Sequence, residues 1–241
     1  ALGGLGTDTG NSIRGPSSHC DLVGFRTTLG LISREGIVPL YLRNDVVGPM
    51  CRTVEDATKI MQVMVGYDLK DFITKNSINK TPKNYTQFLI KNGLKGSRIG
   101  VLRELSDYKT DPDIKKLFEK ALLDLDSLGA TVVDPVDIPN FANLRKNQWC
   151  ATFRTDVESF LATYVKRDTV KTLEDIIRIG TKSEFAKKVL AEEAKSSGRW
   201  EEPSIKCSDA YHDVKRIAFR EAIEVVMDSL NLDAIVYPTW N

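Results

Sequence analysis

Residues 98–133 constrain the fold more than any other stretch of this sequence. Apolar residues of a strand occupy 98–102, Asp111-Pro112 opens a helix, and Gly129 ends that helix before a second apolar strand at 130–133. The apolar face predicted for the helix comprises Ile114, Leu117, Phe118, Ala121, Leu122, Leu125 and Leu128. Two strands joined by an amphipathic crossover helix form a βαβ unit, which requires parallel strands. The sequence therefore predicts an α/β fold with a mixed, partly parallel β-sheet flanked by helices.

Further helices are predicted on both sides of this unit. One begins at Thr53, where Thr53-x-x-Asp56 resembles a capping box, and ends at Gly66. Residues 141–203 are predicted to be mostly helical, with a break around Ser196-Ser197-Gly198. The last helix is predicted over 208–230, ahead of a strand at 234–237. The residues predicted to face the core from these C-terminal helices are Phe153, Val157, Phe160, Leu161, Tyr164, Ile176, Ile177, Ile179, Val214, Ile217, Ala218, Val225 and Leu230.

The whole chain, 1–241, is predicted to form a single α/β domain. Residues 67–97 are polar, rich in Lys and Asn, and are predicted to make a surface excursion. The chain begins without Met in Ala1-Leu2 and ends in an apolar segment, whereas domain termini are usually polar. We therefore expect a processed or partial chain, with a fold that is incomplete at both ends.

A glycine-rich stretch near the N-terminus presents a serine. Residues 3–11 include Gly3, Gly4, Gly6, Gly10 and Asn11, which reach positive φ angles at low cost. Gly10-Asn11 before Ser12 therefore predicts a tight turn that exposes one hydroxyl beside backbone N–H groups. Such donors, aimed at a developing oxyanion, are each worth roughly 10²–10³ in rate, which suits acyl transfer. The alternatives are an ordinary glycine-rich loop or a nucleotide-binding domain, although no Lys follows the glycines as in a phosphate loop.

Composition excludes several classes of function. The formal net charge is +1, with 34 basic and 33 acidic residues, so no strong field recruits nucleic acid or an anionic membrane. No apolar run approaches the roughly 20 residues that span a bilayer. The four cysteines form no Cys-x-x-Cys pair, and no His-Glu-x-x-His motif is present, so no metal site is predicted. Buried free thiols are the simplest interpretation of the cysteines, and the compartment stays undecided.

Several long runs of this sequence resemble the amidase signature family. The matching runs are GTDTGNSIRGP at 6–16, LVGFRTTLG at 22–30, SREGIVP at 33–39 and DVVGPMCRTVED at 45–56. The strand that ends in Tyr-Pro-Thr at 237–239 also resembles a late sheet strand of that family. The chain thus looks like a central portion of such an enzyme. The resemblance implies an amide-bond hydrolase that acts on a small-molecule amide through an acyl-enzyme, without a cofactor.

The resemblance also assigns roles to individual residues. Ser12 matches the nucleophile, and the N–H groups of Thr9, Gly10 and Asn11 match the oxyanion hole. Thr7, Asp8 and Arg14 would brace the loop by hydrogen bonds. The family's lysine base and second serine lie upstream of this motif and are not found in this chain, so an upstream fragment of the same precursor is an implied partner. Arg26-Thr27 departs from the common Lys-Pro, which we expect to affect local structure more than chemistry.

The missing base leaves a second class of function open. A serine site without its base keeps only about 10³–10⁴ in rate over water, from the oxyanion hole and binding. The chain could then be an amidase-like fragment that acts as a binding, inhibitory or storage protein. A Ser-His arrangement is the usual alternative for a serine hydrolase, but His19 and His212 have no spacing that places them beside Ser12. We expect both histidines to be structural or at the surface.

Overall fold

The computed structural model of the chain describes residues 1–146, 148–166, 168–197 and 207–240. Its strands are β1 (Gly3–Asp8), β2 (Val23–Gly24), β3 (Val46–Cys51), β4 (Arg98–Val101), β5 (Thr131–Val133) and β6 (Ala234–Val236). Its α-helices are α1 (Arg14–His19), α2 (Val54–Met64), α3 (Arg103–Ser106), α4 (Pro112–Ser127), α5 (Phe141–Leu144), α6 (Phe153–Tyr164), α7 (Leu173–Ile179), α8 (Glu184–Ser197) and α9 (Val214–Leu230).

The described strands form two three-stranded sheets. In the first sheet β3 lies between β1 and β2, and both pairings are antiparallel, with Gly3 opposite Cys51 and Asp8 opposite Val46. In the second sheet β4 lies between β5 and β6, and both pairings are parallel. The predicted α/β class with a partly parallel sheet is confirmed.

The βαβ unit forms where the sequence predicts it. The Asp111 side chain accepts a hydrogen bond from the Asp113 amide, and Pro112 occupies the first helical position of α4. Gly129, with φ +91°, ends the helix in the left-handed conformation that glycine tolerates. The predicted apolar face is only partly correct, because Leu122 is buried while Leu117 and Leu128 are exposed.

The prediction for the last helix is wrong in its start and in its buried face. α9 begins at Val214, six residues later than 208, because the Asp213 side chain caps its first turn by accepting from the Lys215 amide. Val214 and Val225 are exposed. The face that packs on the core comprises Phe219, Ala222, Ile223, Val226, Met227 and Leu230. It covers a buried cluster with Leu102, Val136, Ile138, Phe141 and Leu232.

The segment 141–203 is mostly helical in its described part, as predicted. Val157 and Leu161 of α6 are buried. The stripe predicted on α7 is wrong, because Ile177 and Ile179 are exposed and Leu173 is the residue that this helix buries completely. Residues 147, 167 and 198–203, which include Gly198 of the predicted break, lie outside the described residues.

The cysteines depart from the prediction of four buried free thiols. Cys150 and Cys207 form a disulfide, with their Cα atoms 6.1 Å apart. Cys51 is a buried thiol, whereas Cys20 is exposed. The disulfide joins the segment before α6 to the segment before α9, so it ties both ends of the α6–α8 region together.

Residues 67–97 carry two 3₁₀ helices, at Phe72–Ser77 and Tyr85–Phe88. The segment is held to the rest of the chain by the ion pair of Arg34 with Asp71, whose side chains are both largely buried, and by the fully buried Thr74. Among the described helices, none combines the length and apolar composition needed to cross a bilayer.

Candidate active site

Ser12 lies in the turn that connects β1 to α1, and it is exposed. The next residue, Ile13, is fully buried and anchors the turn to the core. The amide of Gly15 donates to the carbonyl of Asn11 at 2.8 Å, and the amide of Ser17 donates to that of Ile13 at 3.1 Å, so α1 starts directly after the turn. The serine is therefore presented at the surface by a fixed backbone.

The turn forms without the backbone geometry that its glycines suggested. Neither Gly10 nor Asn11 has a positive φ angle, so the expectation that the turn uses this conformation is wrong. A Cβ atom at Gly10 would meet no atom within 4 Å. A Cβ atom at Gly15 would lie 2.7 Å from the ring of Trp240. Glycine is required at position 15 by close packing, and at neither position by backbone conformation.

Asp8 at the end of β1 holds the turn from inside. Its fully buried carboxylate accepts from the Ile13 amide at 3.2 Å, from Arg14 Nε at 3.1 Å and from Arg26 Nη1 at 2.8 Å. Arg14 Nη2 also donates to the carbonyl of Gly10 at 2.7 Å. Burial alone would raise the pKa of Asp8, but the hydrogen bonds and charges of Arg14, the Ile13 amide and the charge of Arg26 outweigh it and hold the pKa below its usual value.

Two residues that were not assigned to the site from the sequence also brace it. Asp45, just before β3, accepts hydrogen bonds from the Thr9 hydroxyl and from the amides of Leu40 at 2.9 Å and Tyr41 at 2.8 Å. Arg26 bonds both the carboxylate and the carbonyl of Asp8, so this departure from the common Lys-Pro braces the serine turn directly. Both residues lie in the matching runs, which was the only signal available for them.

The remaining predicted residues differ in what they contact. Thr7 pairs with Val47 in the sheet, and its exposed side chain makes no hydrogen bond within the described residues, so its bracing role stays a prediction. The amides of Gly10, Asn11 and Ser12 donate no hydrogen bond to any described residue. Unpaired N–H groups beside an exposed hydroxyl are the arrangement that an oxyanion site requires.

A cavity of about 880 Å³ opens beside this turn. Thr9, Gly10 and Asn11 line one side of it. The other side is largely apolar and comprises Leu102, Leu105, Ile138, Phe141, Phe219, Ile223, Ile235, Tyr237, Pro238 and Trp240. Its volume and apolar lining are typical of small-molecule sites.

Neither histidine is placed for catalysis with Ser12. The His19 ring lies 5.6 Å from the Trp240 ring and is exposed, and His212 pairs with Asp209 through Nδ1 at 2.6 Å. His212 also lies before α9 and not inside a helix. In the part of the chain that the structure describes, no lysine or histidine lines the large cavity, and no group of three His, Cys, Asp or Glu side chains is positioned to hold a metal ion.

Comparison with known proteins gives consistent results across the chain. The family model described as Amidase matches residues 1–241. A probable amidase of Arabidopsis thaliana is 33% identical over 96% of this chain and 45% of its own length. A glutamyl-tRNA(Gln) amidotransferase of Microcystis aeruginosa has a related polypeptide, which is 42% identical over 57% of this chain and 27% of its own length.

The solved structures agree with the sequence relatives. The crystal structure of an amidase family protein from Bacillus anthracis has a TM-score of 0.77 and 31% identity, and the match covers 98% of this chain and 46% of that one. The present chain thus spans less than half the length of each of these three proteins.

Proposed function

This chain belongs to the amidase family, and we propose that it hydrolyses a small-molecule amide with Ser12 as the nucleophile. The observation that carries the proposal is the exposed Ser12 on a braced turn, with unpaired backbone amides beside it and a largely apolar cavity next to them. The family membership supports the reaction type. The alternative of a nucleotide-binding domain has no support from the relatives or from the turn.

In the proposed reaction the Ser12 oxygen attacks the amide carbonyl carbon and a C–O bond forms. The carbonyl oxygen takes up the negative charge and accepts hydrogen bonds from the N–H groups of residues 9–12. The C–N bond then breaks, the amine leaves with a proton, and an acyl ester on Ser12 remains. Water attacks this ester, which releases the carboxylic acid and restores the hydroxyl.

The bracing contacts support this role because an oxyanion site works only if its donors are fixed before the charge develops. Asp8 fixes both sides of the turn through Ile13 and Arg14. Asp45 fixes Thr9, the first residue of the proposed oxyanion hole. These contacts are with groups that do not face the substrate, so we assign them positioning roles.

The proton of the Ser12 hydroxyl must pass to a base. No described lysine lines the cavity, and the family resemblance implies a lysine acting through a second serine. We include in the proposal that a segment carrying these two residues completes the site, either within a longer chain or as a separate fragment. The short span of this chain relative to the Arabidopsis thaliana amidase supports that part of the proposal.

A fluorophosphonate probe tests the nucleophile. We expect one probe adduct on the parent chain by intact mass, and none on Ser12→Ala. Ser18→Ala is the matched control, because Ser18 is an exposed serine of the adjacent helix α1 and should leave labelling unchanged. In the completed enzyme, Ser12→Ala should lower kcat/KM for amide hydrolysis at least about a thousandfold. Equal labelling of Ser12→Ala would contradict the assignment.

The alternative of a binding, inhibitory or storage protein predicts a different result. In that case small amides bind the cavity, but neither the chain alone nor the chain with an added lysine-bearing fragment forms an acyl or phosphonyl adduct. Intact mass after incubation with the probe distinguishes the two functions directly.

A further inference from the structure

The structure assigns an anion-recognition role to Arg145 at the rim of the large cavity: we propose that the substrate amide carries an apolar acyl group that ends in a carboxylate. This inference rests on the proposed function, because it names the substrate class of the same site. It follows from the charges of the cavity and from the partners of those charges.

Three arginines line the large cavity, and two of them are already neutralised. Arg14 and Arg26 both form ion pairs with the buried carboxylate of Asp8. Arg145 is the third. Its guanidinium lies over the ring of Phe141, 5.4 Å from the centroid, and has no carboxylate partner within the described residues. Arg145 is therefore the cavity arginine whose charge is available to a ligand.

A second cavity adjoins the first at this point. It has a volume of about 620 Å³ and shares Asn44 and Arg145 with the large cavity. Lys215, near the start of α9, lines it and has no ion pair within the described residues. Gln148 and Trp149 complete its lining. The region where the cavities meet thus holds two cationic side chains and, among the described residues, no carboxylate.

The rest of the large cavity suits an apolar group. Between the serine turn and Arg145 the lining includes Ile138, Phe141, Phe219 and Ile223. An acyl group that places its carbonyl carbon at Ser12 would extend over this surface toward the arginine. A guanidinium binds a carboxylate through two parallel hydrogen bonds, which fixes the orientation of the ligand as well as adding affinity.

The test compares two probes that differ in charge and not in shape. They are the primary amides of para-carboxyphenylacetic acid and of para-nitrophenylacetic acid, since a nitro group matches a carboxylate in size and geometry. Binding is measured by titration calorimetry on Ser12→Ala, so that no turnover is needed. Failure of the proposed nucleophile, which is read from fluorophosphonate labelling, is thereby separated from failure of this inference.

We expect the carboxylate probe to bind about tenfold more tightly than the nitro probe. Adding Arg145→Gln should remove about tenfold of the carboxylate affinity and change the nitro affinity less than about twofold. Lys146→Gln is the matched control, because this exposed lysine neighbours Arg145 without lining either cavity, and it should change neither affinity.

Three results would overturn the inference. One is a parent that fails to bind the carboxylate probe or shows no preference for it. Another is an Arg145→Gln variant that binds both probes as the parent does. The third is an equal loss for both probes in Arg145→Gln, which would indicate a structural effect on the cavity and not recognition of charge.

Discussion

The hydroxyl of Thr9 donates a hydrogen bond to the carboxylate of Asp45, across 36 positions of sequence, and both residues are buried. Asp45 also accepts from the amides of Leu40 and Tyr41, so one carboxylate links the loop before β3 to the turn that presents Ser12. The backbone donors proposed for the oxyanion hole are therefore held by a contact outside the turn itself.

The first prediction concerns this contact. Thr9→Val keeps the shape of the side chain but leaves one lone pair of a buried carboxylate without a donor, which costs about 1–3 kcal/mol. The free energy of unfolding, measured by urea denaturation, should fall by that amount. Thr9→Ser keeps the hydroxyl and should stay within about 1 kcal/mol of the parent. Equal stability of Thr9→Val and Thr9→Ser would contradict the structural role of the bond.

The second prediction concerns pH. The folded pKa of Asp8 lies below its unfolded value, so Asp8 contributes stability that is complete above about pH 4 and is lost as the pH falls through the folded pKa. At neutral pH, Asp8→Asn should lose about 3 kcal/mol, because it leaves Arg14 and Arg26 without their shared partner.

The gap between the parent and Asp8→Asn should narrow below about pH 4, where Asp8 itself becomes protonated. Urea denaturation at several pH values measures this gap. Asp137→Asn serves as the control, because its exposed carboxylate has no ion pair within the described residues, and its gap should stay near zero throughout. A gap for Asp8→Asn that does not change with pH would indicate that the charge of Asp8 is not what stabilises the turn.

Local signals in the sequence were sufficient for the elements whose ends are set by neighbouring residues. Asp111-Pro112 and Gly129 fix the ends of α4, and Thr53 caps α2 by accepting from the Asp56 amide, so both helices were predicted close to their observed bounds. The start of α9 had a comparable signal in Asp213, an N-cap residue that the prediction of a start at 208 overlooked.

Contacts between distant residues could not be predicted in this way. The buried face of α9 depends on which side meets Phe141 and Ile138, and a helix with apolar residues on several sides does not specify that choice. The bond of Thr9 to Asp45 is likewise invisible to periodicity. At Gly15 the sequence carried no sign of the close packing with Trp240, which lies at the other end of the chain. Local physics predicts the elements, and packing decides their partners.

A third prediction tests the packing at Gly15. Gly15→Ala would place a Cβ atom 2.7 Å from the Trp240 ring and 3.0 Å from Asn11 Nδ2, so the ring must move, at a cost of about 1–3 kcal/mol. Gly10→Ala, where a Cβ atom meets nothing within 4 Å and φ is not positive, should leave stability unchanged or slightly higher.

The source of the cost can be isolated with a double variant. If the ring of Trp240 causes the strain, Gly15→Ala should cost much less in a Trp240→Ala background, which a double-mutant cycle of unfolding free energies measures. The same cost in both backgrounds would assign the strain to Asn11 instead.

The last prediction concerns the disulfide of Cys150 with Cys207, which closes a loop across 57 positions of sequence. Such a loop restricts the unfolded chain by about 4 kcal/mol in the chain-entropy description, so Cys150→Ser with Cys207→Ser should lower the free energy of unfolding by up to that amount. Alkylation of the unfolded, unreduced protein should add label to Cys20 and Cys51 alone, and prior reduction should expose all four cysteines. Four labels without reduction would show that the pair is not oxidised, and the serine variant should then unfold like the parent, because there is no cross-link to lose.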